Sequence, residues 1–118
     1  MESELLRKRT KAFALRIIEF VQKLPDNKVG HVIGRQLLRS GTSVGANYRA
    51  ALRARSRAEF IAKMGIVEEE ADESLYWMEL LEESWTTRNE MILSLMKEAD
   101  ELLAMTVASI KTARQRKS

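Results

Sequence analysis

Five carboxylates crowd one short stretch, at Glu68, Glu69, Glu70, Asp72 and Glu73. In a helical bundle such a cluster is where a pair of iron or manganese ions would be held, provided a Glu-x-x-His pair stands on each of two helices. The chain has one histidine, His31, and the residue three before it is Lys28, so no such pair exists. His31 reads as a surface or helix-start residue. Nucleophilic catalysis fares no better: cysteine is absent, and Ser40, Ser43 and Ser56 have no second histidine or evident base near them in sequence. No catalytic residue, metal ligand or cofactor is assigned, and a non-enzyme is expected.

The cations offer more. Residues 1–66 carry fourteen Lys/Arg against five Asp/Glu, residues 67–110 carry two against twelve, and the last eight residues add four cations and no acid. The net charge of +3 hides this segregation, which points to nucleic acid or to charge-matched neighbours. Candidate phosphate-binding residues are Arg7, Arg9 and Lys11 near the start, Arg49, Arg53, Arg55 and Arg57 in the middle, and Lys111 and Arg114 near the end.

The elements that must position them are helical. One proline, five glycines and few aromatics, against abundant Leu, Ala, Glu, Arg and Met, favour helix over sheet. Apolar residues recur at four-three spacing in four runs, predicting helices over roughly 4–24, 28–53, 57–84 and 88–114. The first presents Leu6, Phe13, Ile17, Phe20 and Leu24, with Thr10 interrupting the seam. The second presents Val29, Ile33, Leu37, Val44 and Tyr48. Ser56-Arg57-Ala58-Glu59 has capping-box spacing and opens the third, whose seam runs Phe60, Met64, Val67, Ala71, Ser74, Met78 and Leu81. Thr87-Arg88-Asn89-Glu90 repeats that spacing before the fourth, with Ile92, Leu95, Ala99, Leu102, Thr106 and Ile110. Four such helices on short links make an all-α, antiparallel up-down-up-down four-helix bundle, taken as one domain over 1–118. The tail from Arg114 to Ser118 is polar and expected to fray. No apolar run reaches the length of a membrane span, the first twelve residues lack a signal peptide's apolar segment, and zero cysteines suit a reducing cytoplasm.

The run Ser40-Gly41-Thr42-Ser43-Val44-Gly45-Ala46-Asn47 lies inside the second helix, where each glycine costs about 1 kcal/mol relative to alanine. A phosphate-cradling loop would need a preceding strand and normally a lysine, neither of which is present. A helix break at Gly41 is a further alternative. Close packing is the favoured reading: a hairpin turning near Arg53 to Arg55 sets Gly65 opposite Val44 and Gly45, making Gly41, Gly45 and Gly65 the tightest contact. The same register places Arg39 opposite Glu70 and Arg35 opposite Ser74 beside Glu73, predicting interhelical salt bridges among Arg35, Arg39, Glu70 and Glu73. The methionines read as core filler. Tyr48, Tyr76, Trp77 and Trp85 exceed what a small bundle easily buries, so each is either a core position or part of an oligomer interface.

With Ala50, Arg55, Ser56, Glu59-Phe60, Lys63 and Glu69-Glu70-Ala71 added to the run at 40–47, the chain resembles the bacterial four-helix-bundle family first named for proteins encoded in intervening sequences of 23S ribosomal RNA genes. The resemblance implies a homopentamer, and kinship with the accessory proteins of diversity-generating retroelements, which associate with nucleic acid and a reverse transcriptase. Tyr48-Arg49 replaces the small or acidic residues expected after Asn47 in many members, which marks a subgroup. Expected partners are therefore other copies of the chain, RNA or DNA, and a reverse transcriptase or another protein, with no membrane. A nucleic-acid-binding accessory role leads, a protein-binding scaffold is the alternative, and the basic residues are expected at one end of the bundle.

Overall fold

The computed structural model describes residues 2–116 and shows four helices, α1 Glu2–Gln22, α2 Lys28–Leu52, α3 Arg57–Glu83 and α4 Glu90–Gln115. Consecutive helices pack on one another, and α1 closes the square against α4. The result is an antiparallel bundle 51 Å long and 20 Å across. Side chains decide where each helix begins. Asn27, Ser56 and Asn89 stand in extended backbone and accept from the backbone N–H three residues on, at Gly30, Glu59 and Ile92. Each cap satisfies a donor that the first turn leaves unpaired. The fourth helix thus starts from Asn89 and not from the Thr87 capping box, because the Thr87 N–H turns back to the Leu81 carbonyl and closes the end of α3. That closing turn holds Trp85 at φ 61, the left-handed conformation usually left to glycine. Arg114 and Gln115, where the tail is expected to fray, are helical, and Arg116 follows the last helical residue; Met1, Lys117 and Ser118 lie outside the described residues.

The four-three seams form the core. Leu6, Phe13, Ile17 and Phe20 from α1 meet Leu37 and Val44 from α2, Met64, Val67, Met78 and Leu81 from α3, and Ile92, Leu95 and Leu102 from α4. Complete burial of a side chain of this size contributes about 1.5–3 kcal/mol. Val29 is the exception among the expected core residues, being exposed in the first turn of α2. Four polar side chains share the interior, Thr10, Ser40, Ser74 and Thr106, and all are hydrogen-bonded. The Ser40 and Ser74 hydroxyls, 2.9 Å apart, join α2 to α3 across the seam.

The close helix contact is not where the sequence places it. A Cβ on Gly65 would meet nothing within 4 Å, because Met64 and Val67 fill the seam and Gly65 is turned away from it. The glycines of α2 face α1 instead. A Cβ on Gly45 would lie 3.2 Å from the Thr10 carbonyl oxygen, one on Gly41 2.9 Å from the Ile17 side chain, and one on Gly34 3.1 Å from Leu24. On Gly30 it would run into the Pro25 carbonyl. Helix α2 is unbroken through Gly41, so neither a loop nor a break forms there.

Candidate nucleic-acid interface

The glycine stripe that draws α2 onto α1 also shapes the surface outside it. Small residues, Ala14, Gly45 and Ala46, floor a groove of about 420 Å³ between the two helices. Its walls carry Arg7 and Lys11 from α1 with Arg49 and Arg53 from α2. No carboxylate lines it among the described residues. The reason is compositional: α2 contains no Asp or Glu at all. Arg7 pairs with Glu4 one turn back on the exposed surface, which holds its guanidinium above and the Glu4 carboxyl below their ordinary pKa values. Exposed pairs of this kind are weak and yield readily to a better anion. Lys11, Arg49 and Arg53 make no ion pair among the described residues.

Antiparallel topology brings the start of α1, the α2–α3 link and the end of α4 to one end of the bundle. Arg55 lies in the link, Arg57 opens α3, and Lys111 and Arg114 close α4, all exposed and without an ion pair among the described residues. Arg49 and Arg114 sit in last helical turns, where the helix dipole favours cations, whereas Arg57 stands in a first turn, where it does not. Arg9 leaves the candidate set. Its guanidinium bonds Glu98 at 2.6 Å and Glu101 at 2.8 Å on α4, and these two carboxylates hold its pKa far above the usual value. Arg39 is engaged in the same way by Glu70 and Glu73 on α3. Arg35, expected to join them, makes no ion pair among the described residues and instead borders a shallow hollow with Pro25 and His31. His31 is exposed and its Nε2 lies 2.6 Å from Asp26 Oδ1. No group of three His, Cys, Asp or Glu side chains among the described residues is placed to hold a metal ion. No helix is long and apolar enough to cross a membrane among the described residues.

The aromatics divide. Tyr48 is buried at the basic end, its hydroxyl 3.3 Å from the Ser3 carbonyl, so it offers no open face for stacking. Trp77 donates to Glu73 at 3.1 Å and meets Tyr76 edge-on. Tyr76 and Trp85 are exposed, and the Arg88 guanidinium covers one face of Trp85 at 3.5 Å.

Residues 4–108 match the family model for the 23S rRNA-intervening sequence protein. The chain belongs to this family. A crystal structure from Bacteroides thetaiotaomicron, described as a protein of unknown function from the S23 ribosomal protein family, is similar at 36% identity with a TM-score of 0.87. The alignment covers 94% of this chain and 99% of that one. No curated protein matches. The family match takes in the whole groove, while Lys111 and Arg114 fall beyond it. Within this member of the family the stretch from Ser40 to Asn47 works as a packing device: Gly41 and Gly45 seat α2 on α1 while Ser40 meets Ser74 on α3. Sequence reasoning missed Gly30 and Gly34, although their spacing to Gly41 and Gly45 keeps all four on one helical stripe.

Proposed function

We propose that this family member is a non-enzymatic, oligomeric nucleic-acid-binding accessory protein of the cytoplasm. One observation carries the reading, the α1–α2 groove with Arg7, Lys11, Arg49 and Arg53 on its walls and no acid among its described lining residues. Arg55, Arg57, Lys111 and Arg114 extend that surface over the adjoining end. Phosphates supply the anions that Lys11, Arg49 and Arg53 lack, and the small-residue floor lets a backbone approach closely. Assembly into a homopentamer would repeat the groove around a ring, so that modest contacts add by multivalency. Exposed Leu15, Tyr76 and Trp85 support burial against further copies. Light scattering coupled to size exclusion should return a mass well above the 13.5 kDa of one chain; a stable monomer at micromolar concentration overturns the assembly.

The test of binding is RNA and DNA affinity across a salt series. Affinity should fall steeply with salt, and the Arg49→Gln, Arg53→Gln double variant should reduce the salt slope by about 2. Undetectable binding at low salt, or the same slope in both proteins, rules the reading out. A protein-binding scaffold is the second reading, favoured by the acidic outer surface of α3 around exposed Tyr76. A reverse transcriptase or another protein would then be the partner.

A further inference from the structure

The basic end of the bundle is hollow. The seam of α4 finishes on Ala113 where a larger side chain would plug the axis, and a recess of about 220 Å³ remains between the helix ends. Phe60, only partly buried, and Leu6 form apolar walls beside the buried Tyr48; Ser3, Ser109 and Thr112 bring hydroxyls, and Arg116 stands at the rim. No carboxylate lines the recess among the described residues. Leu52 lines both this recess and the α1–α2 groove, so the two hollows share a wall.

We propose that the recess takes one unstacked nucleobase of a single strand whose phosphates lie along the groove. The inference rests on the nucleic-acid reading above and adds what that reading lacks, a means of telling a single strand from a duplex. Size favours one planar ring system: the hollow far exceeds the roughly 30 Å³ share of a water molecule, yet falls short of the roughly 300–1,000 Å³ of sites for larger ligands. Chemistry agrees. A base has apolar faces and a polar edge, and the recess sets two aromatics and two leucines beside the hydroxyls of Ser3, Ser109 and Thr112, which can donate or accept. A duplex keeps its bases stacked and paired and cannot enter. The shared wall at Leu52 makes the path from groove to recess short, as a backbone and its attached base require.

The experiment compares fluorescent single-stranded RNA, the matching duplex and an abasic strand of equal length, each across a salt series. The parent should bind the single strand about tenfold more tightly than the abasic strand. Ala113→Leu, which fills the recess from the core, and Thr112→Trp, which blocks it from the exposed rim, should each erase that preference and leave the salt slope unchanged. Thr112→Trp alters a surface position, so it reports even if Ala113→Leu fails to fold. Salt-dependent binding with equal affinity for the three probes, or a preference that survives Thr112→Trp, overturns the base site and leaves the nucleic-acid reading standing. No binding to any probe at low salt overturns both.

Discussion

The seams of this bundle treat cations in opposite ways. Along α1–α4, Arg9 reaches two carboxylates, Glu98 and Glu101; along α2–α3, Arg39 reaches Glu70 and Glu73. Along α1–α2 neither wall of the groove offers an acid among the described residues, and Lys11, Arg49 and Arg53 stand open to solvent. Arginine stands in all three places. What differs is the helix opposite, because α2 carries no acid while α3 and α4 carry most of them. Glycines reinforce the contrast. Where α2 meets α1 the helices interlock through backbone, which leaves the cations nothing to do in holding the pair together. Where acids lie across the seam, ion pairs bridge side chains instead.

The largest effect tests that division of labour. Gly45→Leu should lower stability by about 1–3 kcal/mol, since its Cβ alone would press on the Thr10 backbone. Gly65→Ala, with open space around the new methyl, should raise stability by about 0.5–1 kcal/mol through helix propensity. Thermal or denaturant unfolding of both variants decides: equal effects would place the tight seam elsewhere.

The glycine result shows what a sequence can and cannot say here. Four-three spacing made the core legible, since a buried helix face must repeat every turn whatever lies across from it. A short link fixes one register, so Arg39 could be set opposite Glu70 from spacing alone. No such link joins α1 to α4, and the partner of Arg9 lies 89 residues away, so its neutralisation was hidden and it passed for a free cation. The glycines misled for a related reason. The α2–α3 hairpin register assigns the glycines to that seam, although the spacing of Gly30, Gly34, Gly41 and Gly45 marks a single stripe, and only the fold shows that the stripe faces α1. The groove was legible in charge but not in shape, because the absence of acid from α2 can be counted whereas the recess behind Ala113 depends on how four helix ends meet.

A smaller effect separates bound from open arginines. Arg9→Gln should cost about 1–2 kcal/mol, because Glu98, whose side chain is 18% exposed, loses its partner in a poorly solvated place. Salt dependence of RNA binding should stay that of the parent. A drop in slope of about 1, half that expected of the Arg49→Gln, Arg53→Gln double variant, would return Arg9 to the interface and erase the distinction between the seams.

The smallest effect concerns the acid side of the α2–α3 seam. The Glu73 carboxyl titrates below its ordinary value of 4.5, first because Trp77 Nε1 donates to it and then because Arg39 does, against a burial that acts in the other direction. A carboxyl depressed on folding stabilises the fold above the unfolded pKa, and the contribution disappears as pH falls through the lower, folded pKa. Trp77→Phe removes the first cause and keeps the ring that meets Tyr76. Carboxyl-resolved NMR titration should then show the Glu73 pKa rising toward 4.5, with Arg39 still holding it somewhat below. Because the Glu73 side chain is 36% exposed, solvent screens the loss and stability above pH 5 should fall by only about 0.5 kcal/mol beyond the packing change. Under acid the two proteins should differ only by the packing change, since protonated Glu73 has no charge for either donor to favour. An unchanged Glu73 titration in Trp77→Phe would mean that Arg39 alone sets its charge, and that this seam is held by the ion pair without help from the indole.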